Sequence, residues 1–519
     1  MEALNSVKRI LNRLSEEETS TARSYLTTFG QKGKEARAVV LFDLIAEQRA
    51  IDPSALLDAQ KLELKIYGTA SATNFSRLVY RLRDKILESL VLDVNSSREG
   101  VYDERTRINI EVRKCITQAQ ILQSRGLHDI SESLLEKVIQ QCKKYEILEE
   151  LLLAIRLLIN LRRSEDGSKF LKAWMTTYEK YDYMKTVLVK AEAQMCLVHA
   201  ELDYKAGEKA KSEWLKPILD EMSTDYRKTS CAHIGFNYFY LQAQYYQLLH
   251  DYEGARKALH DNLNLLETHP SIFTKIRMGN VLSNIADNDL YLHQFNRSQK
   301  TASKALLHFK ETSFNHQQAI ELIFYAHYYR GDYKEARETI LRLLPNAEDA
   351  GELLYKQGKR FYLLACTSFM LGDYNKALQL INRIINPIEA DKEGWNAGLR
   401  ILTIMTLIQL EKFDEATLKI GALKSFIDSV GKENFSERVL SISGLLRKLS
   451  NASFDFKIFF QKEKERIAVL SQIEWTPKSP EMILVDQWFM ARANKRPLEL
   501  ILPAIEGKEK SPVRRKVTA

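Results

Sequence analysis

The chain has 519 residues, 45% hydrophobic and 28% charged, with a formal net charge of +8. That length exceeds a single hydrophobic core and calls for several domains or an extended array. The charge excess excludes a polycation spread along the molecule, because half of it sits in residues 508–519, with five bases and one acid, which read as a solvated, disordered tail.

Only 20 glycines and 10 prolines interrupt the chain, which favours an almost wholly helical structure. Val7, Ile10, Leu11 and Leu14 sit at helical spacing and open the first helix. Ser15 with Glu18 forms a capping-box pattern for a second helix, stopped by Gly30 and Gly33. A third carries Val39, Val40, Phe42, Leu44 and Ile45. Asp52-Pro53 is a cap followed by proline at the first helical position, starting a fourth helix that ends at Gly68. A fifth runs from near Thr73 through Leu78, Val79, Leu82, Ile86 and Leu90. Residues 1–98 therefore form a five-helix module, with a joint at 95–100.

From about residue 105 a turn recurs, with a small or polar pair, a large residue and then an alanine-led amphipathic run. The clearest copies are Gly331-Asp332-Tyr333-Lys334-Glu335-Ala336 and Gly372-Asp373-Tyr374-Asn375-Lys376-Ala377. Aligned turns fall at Ile130, Phe170, Lys209, Tyr252, Phe295, Tyr333, Tyr374 and Phe413, with intervals of 40, 39, 43, 43, 38, 41 and 39. Such a period is the signature of a repeat architecture, and each interval has room for two helices of roughly fifteen residues. Pro345, Pro387 and Gly394 lie between hairpins. After Phe413 the pattern fades. A charged helix over 454–475, a break at Trp475–Pro480, an apolar helix over 481–505 with Ile483, Leu484, Trp488, Phe489 and Met490, and a last short helix at Leu498–Leu502 would cap the stack.

Ala365, Tyr374, Ala377 and Ile381, and again Ala243, Tyr252, Ala255 and Leu259, carry a resemblance to tetratricopeptide repeats. The Tyr333 copy has Phe324 where the small residue belongs, and the Phe295 copy has Ser298 in place of alanine. The resemblance implies an all-α fold, a right-handed α-solenoid of antiparallel helical hairpins over 105–446. The N-terminal module precedes it, with capping helices over 454–505 and the basic tail over 506–519 behind it. Small residues let the helices cross closely, and the turn aromatic wedges into its hairpin.

Catalytic patterns do not occur. There is no phosphate-cradling glycine loop, zinc-peptidase motif or nucleophile elbow. Cys115, Cys142, Cys196, Cys231 and Cys366 lie too far apart for a metal knuckle or redox pair and read as free thiols in a reducing compartment. His128-Asp129, His250-Asp251 and His260-Asp261 could ligate a metal, but the first two fall at repeat turns, with His in the place of Gly. Asp287 and Asp289 are two apart on a helix and do not face one another. No cofactor or metal is expected, and the chain is read as non-enzymatic. Its start lacks the apolar core of a signal peptide, and no apolar run is long enough to span a membrane, so the expected location is cytoplasmic.

Two binding readings remain. The resemblance places the first helix of each hairpin on the concave side, with Asn237, Tyr240, Gln244, Asn280, Ser283, Asp287, Glu321, Tyr325, Tyr328, Lys359 and Tyr362 facing a groove that takes a protein or peptide. Tyrosine suits such a surface, with an apolar body and a polar tip. The alternative is a transcriptional or signalling regulator with a helix-turn-helix-like N-terminal module. There Arg77, Arg81 and Lys85 would form a basic stripe for nucleic acid, diluted by Asp84 and Glu88.

Overall fold

The computed structural model describes residues 2–28, 36–51, 57–69, 71–92, 103–162, 168–202, 208–344, 354–384, 395–473, 475–479 and 481–496. Among these residues the chain forms 23 α-helices and no strand. It divides into two compact units, Met1–Cys142 and Lys143–Ala519. That division falls inside a helix of the first hairpin.

The first unit holds α1 (Glu2–Leu11), α2 (Glu16–Thr28), α3 (Ala36–Ile51), α4 (Ala59–Tyr67), α5 (Ala72–Leu92), α6 (Glu104–Ser124) and most of α7 (His128–Tyr145). The capping box forms as the sequence predicts. Ser15 N–H donates to Glu18 Oε2 at 2.8 Å and Glu18 N–H to Ser15 Oγ at 3.2 Å, satisfying two otherwise orphaned amides. Helix α4 begins at Ala59 rather than Pro53, because Asp58 supplies the cap, accepting from Lys61 N–H at 3.1 Å. Gly68, at φ 72°, ends it in the left-handed conformation. Asp52-Pro53, Gly30, Gly33 and the joint at 95–100 lie outside the described residues. Helix α5 packs on α1, α2 and α3, burying Leu78, Val79, Leu82 and Ile86 against Val7, Leu11, Phe42 and Ile45.

The first repeat turn is two residues earlier than the sequence suggests. Gly126 takes the left-handed conformation (φ 77°) and His128, not Ile130, opens α7. Ser131, three residues on, is fully buried and donates its hydroxyl to Ala119 O at 3.0 Å.

The second unit continues with α8 (Leu148–Arg162), α9 (Ser168–Leu202), α10 (Glu208–Thr229), α11 (Ala232–Leu248), α12 (Tyr252–Thr268), α13 (Lys275–Tyr291), α14 (Phe295–Leu306), α15 (Phe314–Arg330) and α16 (Tyr333–Leu341). It is completed by α17 (Leu354–Met370), α18 (Tyr374–Asn382), α19 (Trp395–Gln409), α20 (Phe413–Val430), α21 (Glu437–Asn451), α22 (Phe456–Gln472) and α23 (Val485–Ala493). One expectation fails outright here. The interval from Phe170 to Lys209 holds the single 35-residue helix α9 and not a hairpin, so the count of eight two-helix copies does not stand. Its sequence contains no Gly or Pro from 168 to 202, and nothing local breaks it.

From α11 to α20 the repeat is regular. The residue two before each turn aromatic is left-handed, as His250, His293, Gly331, Gly372 and Glu411 all have φ between 56° and 89°. The residue three after it is buried to zero exposure in every copy, as Ala255, Ser298, Ala336, Ala377 and Ala416. Ser298 fits there by donating to Ala286 O at 2.7 Å, the bond that Ser131 makes in the first hairpin. The turn aromatics also join neighbours. Tyr252 stacks on Tyr291 of the next hairpin at 4.8 Å, Phe295 approaches Tyr329 at 5.8 Å, and Tyr374 OH accepts from Gln409 Nε2 at 3.1 Å. They therefore set the stacking of successive hairpins as well as the angle within one.

The array extends past residue 446. Helices α21 and α22 form another hairpin, with Phe454 left-handed at φ 60° and Asp455 capping α22 by accepting from Lys457 and Ile458 N–H. Phe459 replaces the alanine, so the backbone repeats where the sequence pattern has gone. Helix α23 is shorter than the helix expected over 481–505, and Met482, Ile483 and Leu484 precede it. The expected helix at Leu498–Leu502 and the basic tail lie outside the described residues.

Candidate functional site

The face formed by the first helices can be indexed back from the turn aromatics. Positions fifteen, twelve and eight residues earlier are Asn237/Tyr240/Gln244 on α11, Asn280/Ser283/Asp287 on α13 and Gln318/Glu321/Tyr325 on α15. The same register gives Lys359/Tyr362/Cys366 on α17 and Gly398/Ile401/Met405 on α19. Side chains bridge neighbouring rows. Lys359 Nζ pairs with Glu321 Oε2 at 3.2 Å and Asn315 Nδ2 donates to Asn280 Oδ1 at 3.0 Å. On α11, Gln244 Nε2 donates to Tyr240 OH at 2.9 Å, and the Tyr240 ring lies 5.9 Å from His199 of α9.

Three expected groove residues are not open. Tyr328 is five residues before its turn aromatic, out of register, and lies edge-on to Tyr333 at 5.4 Å within the hairpin core. Tyr325 and Tyr362 are in register but only 1% and 3% exposed, because the chain returns over this face. Trp475 lies against Tyr329 at 5.1 Å and His293 at 6.3 Å. Lys478 donates its backbone N–H to Tyr329 OH at 2.8 Å, pairs its Nζ with Asp287, and holds that ammonium 5.9 Å from the Tyr325 ring centre. Tyr329 OH lies 3.3 Å from Met482 Sδ, and the Met482 backbone reaches the Tyr362 hydroxyl. Glu481, Met482 and Ile483 then lie over Tyr362, Cys366, Gly398, Ile401 and Met405. Residues 475–479 and 481–484 thus form a return segment on α13, α15, α17 and α19.

A buried ion cluster anchors its far end. Arg438 of α21 donates Nε to Glu481 at 2.5 Å and Nη2 to Asp486 at 2.6 Å, and its Nη1 bonds Leu470 O at 2.8 Å. One guanidinium faces two carboxylates in a site closed to water. Burial pushes the Glu481 carboxyl up to about 7 against the opposing pull of Arg438, since a proton there restores neutrality. Burial also works to lower the Lys478 ammonium, but Asp287 outweighs it and holds the group above its ordinary value. The hydroxyls of Tyr240, Tyr329 and Tyr362 are all raised by burial and stay protonated.

The remaining candidates separate. Asp289 turns away from Asp287 into the core, where burial raises it to about 6 beside Arg297 Nε at 3.2 Å. Asp251 caps α12 through Gly254 N–H at 2.9 Å and His260 Nε2 lies 2.9 Å from Arg297. Among the described residues no group of His, Cys, Asp and Glu is placed to hold a metal ion. On α5, Lys85 is spent on Glu88 at 2.8 Å and sits 5.5 Å from the Tyr25 ring centre, leaving Arg77 and Arg81 as the exposed bases of the stripe. A cleft of about 490 Å³ between α18, α19 and α20, edged by Arg400 and Lys419, lies apart from all of these residues. No described helix is long and apolar enough to cross a membrane.

No family model matches the chain, and no curated protein matches it. Among solved structures it is similar to the apo form of RapI, with a TM-score of 0.43 and 11% identity over 76% of this chain and 96% of that one. A tetratricopeptide repeat protein from Parabacteroides merdae gives 0.31 and 14%, over 65% and 98%. A signal transduction ATPase with numerous domains and a tetratricopeptide repeat sensor, from Pyrococcus horikoshii, gives 0.35 and 12%, over 82% and 66%. Scores this low carry no argument, so the repeat assignment rests on the hairpins. On their geometry the described residues are all-α, and their helical hairpins resemble tetratricopeptide repeats.

Proposed function

We propose that this chain is a non-enzymatic interaction scaffold that takes a protein or peptide segment along the uncovered part of the repeat face, on α11 and the first half of α13. One observation carries the reading. The same face already holds a non-helical segment of its own chain by ring, side-chain and backbone contacts, and its register continues through Asn237, Tyr240, Gln244, Asn280 and Ser283, of which Asn280 is exposed and the others are half-buried. These residues offer an aromatic body with amide and hydroxyl groups, which suits backbone and side-chain recognition at low entropic cost.

The test is affinity capture from native lysate with the intact chain and with Asn237→Arg/Asn280→Arg, which put two long charged side chains across the face. Loss of the captured proteins, with the helical circular dichroism unchanged, is expected. An identical set of captured proteins from both chains would refute the assignment.

A further inference from the structure

We infer that Asp287, Glu321 and Tyr325 form a lysine-accepting subsite of this face, that Lys478 is its built-in occupant, and that the partner is a peptide or protein loop presenting a lysine to the same place. This rests on the interaction reading above and names the chemistry of the ligand.

The return segment is held in two different ways. Met482, Ile483, Leu484 and Val485 are 6% exposed or less and belong to the core. Residues 475–479 form a half-buried turn, closed on itself by Ser479 N–H to Thr476 O at 3.2 Å and by Trp475 Nε1 and Ser479 Oγ, which both donate to Glu481 O. Lys478 projects from that turn with φ 64°, and its side chain keeps 28% of its exposure. It therefore stands at the boundary between covered and uncovered face. Ser283 and Asn280 lie one and two helical turns before Asp287 on α13, so a segment lying along them meets Lys478 next.

Electrostatics selects the replacement. Glu321 already shares Lys359, while Lys478 is the cation that faces Asp287. Lifting the turn alone would leave the Asp287 carboxylate half-buried without its counter-ion, which is costly. A ligand that carries its own ammonium removes that cost, and one without it does not. The Tyr325 ring adds a face on which a cation is favoured.

Lys478, tethered a few residues from its site, competes at an effective concentration of order millimolar. The probe is a fluorescein-labelled synthetic peptide of residues 473–485, titrated into the full chain and followed by polarisation. Lys478→Met in the chain keeps most of the stem, removes the charge, and should tighten binding of the peptide by about tenfold or more. Replacing the lysine of the peptide by methionine, or adding Asp287→Asn to the variant chain, should abolish that gain. A Lys478→Met chain that melts cooperatively yet binds no better than wild type overturns the inference, as does a gain that survives loss of the peptide's lysine. Tyr329→Phe, which keeps the ring and removes the acceptor for the Lys478 amide, gives a second opened chain should Lys478→Met fold poorly. If the peptide arms fail while Asn237→Arg/Asn280→Arg still loses its captured proteins, the scaffold reading stands and only the lysine subsite falls.

Discussion

Helices α11 and α19 occupy the same place in the repeat and present the same three register positions, yet their faces differ in kind. On α11 these are Asn237, Tyr240 and Gln244, all half-buried. On α19 they are Gly398, Ile401 and Met405, with Ile401 and Met405 at 2% and 1% exposure. A polar row stays half-buried on α11, and an apolar row is roofed by the chain's own residues on α19. Repeat register sets the direction a side chain points, and the composition of the row decides whether it ends as surface or as core.

The largest effect should come from the anchor of the roof. Arg438→Met leaves Glu481 and Asp486 buried together without a counter-ion, at a cost of about 3–5 kcal/mol. Urea denaturation should report that loss, and limited proteolysis should find new cleavage between 473 and 480. A variant as stable and as protease-resistant as wild type would show that the return segment is not held by this cluster. Next, Met405→Ala should cost about 2–5 kcal/mol as a cavity under the roof. Asn280→Ala, at an exposed register position on the uncovered part of the face, should stay within about 0.5 kcal/mol. Equal costs at the two sites would erase the distinction between them.

Acidity tests the same anchor. The folded pKa of Glu481 is raised to about 7, by burial first, with Arg438 opposing and Asp486 adding. A raised carboxyl pKa means that the folded state holds the proton more tightly. The stabilisation is complete below the unfolded carboxylate range and is lost as pH rises through about 7. Cleavage at 473–480 should therefore speed up between pH 5 and pH 8, and Glu481→Gln should flatten that profile. A rate that falls over this range would reverse the assigned sign.

Much of this was legible in the sequence, and the misses have physical causes. The five N-terminal helices, the Ser15–Glu18 box and the five regular hairpins follow from spacing and caps. The first turn lies two residues before the expected place because His128-Asp129 matches the Gly-Asp pattern, whereas Gly126 takes the left-handed position. The roof is not legible because Met482-Ile483-Leu484 fits a helical pattern as well as the covered non-helical segment it forms. Periodicity cannot separate a short apolar run in a helix from one in a covered extended segment. A signal was present: Cys366, Gly398, Ile401 and Met405 put apolar or missing side chains at positions the register sends to solvent, and an apolar row there calls for a cover.

The smallest effect probes the repeat itself. Ser298 and Ser131 each stand in the alanine position and donate to the carbonyl of the residue twelve earlier, Ala286 and Ala119. Ser298→Ala deletes one buried hydrogen bond and restores the small side chain that the other copies use, so a net loss of about 1 kcal/mol or less is expected. Ala377→Ser is the reverse experiment. The carbonyl twelve residues back belongs to Ala365, in a hairpin of the same register, and a serine hydroxyl placed there finds the same acceptor, so thermal unfolding should move by no more than a degree or two. Ala377→Val adds two methyl groups at the same crossing with no polar partner, and overpacking there should cost about 1–3 kcal/mol. If serine proves as damaging as valine, the two native serines owe their fit to a local widening of their own hairpins, and the shared bond is not a property of the repeat.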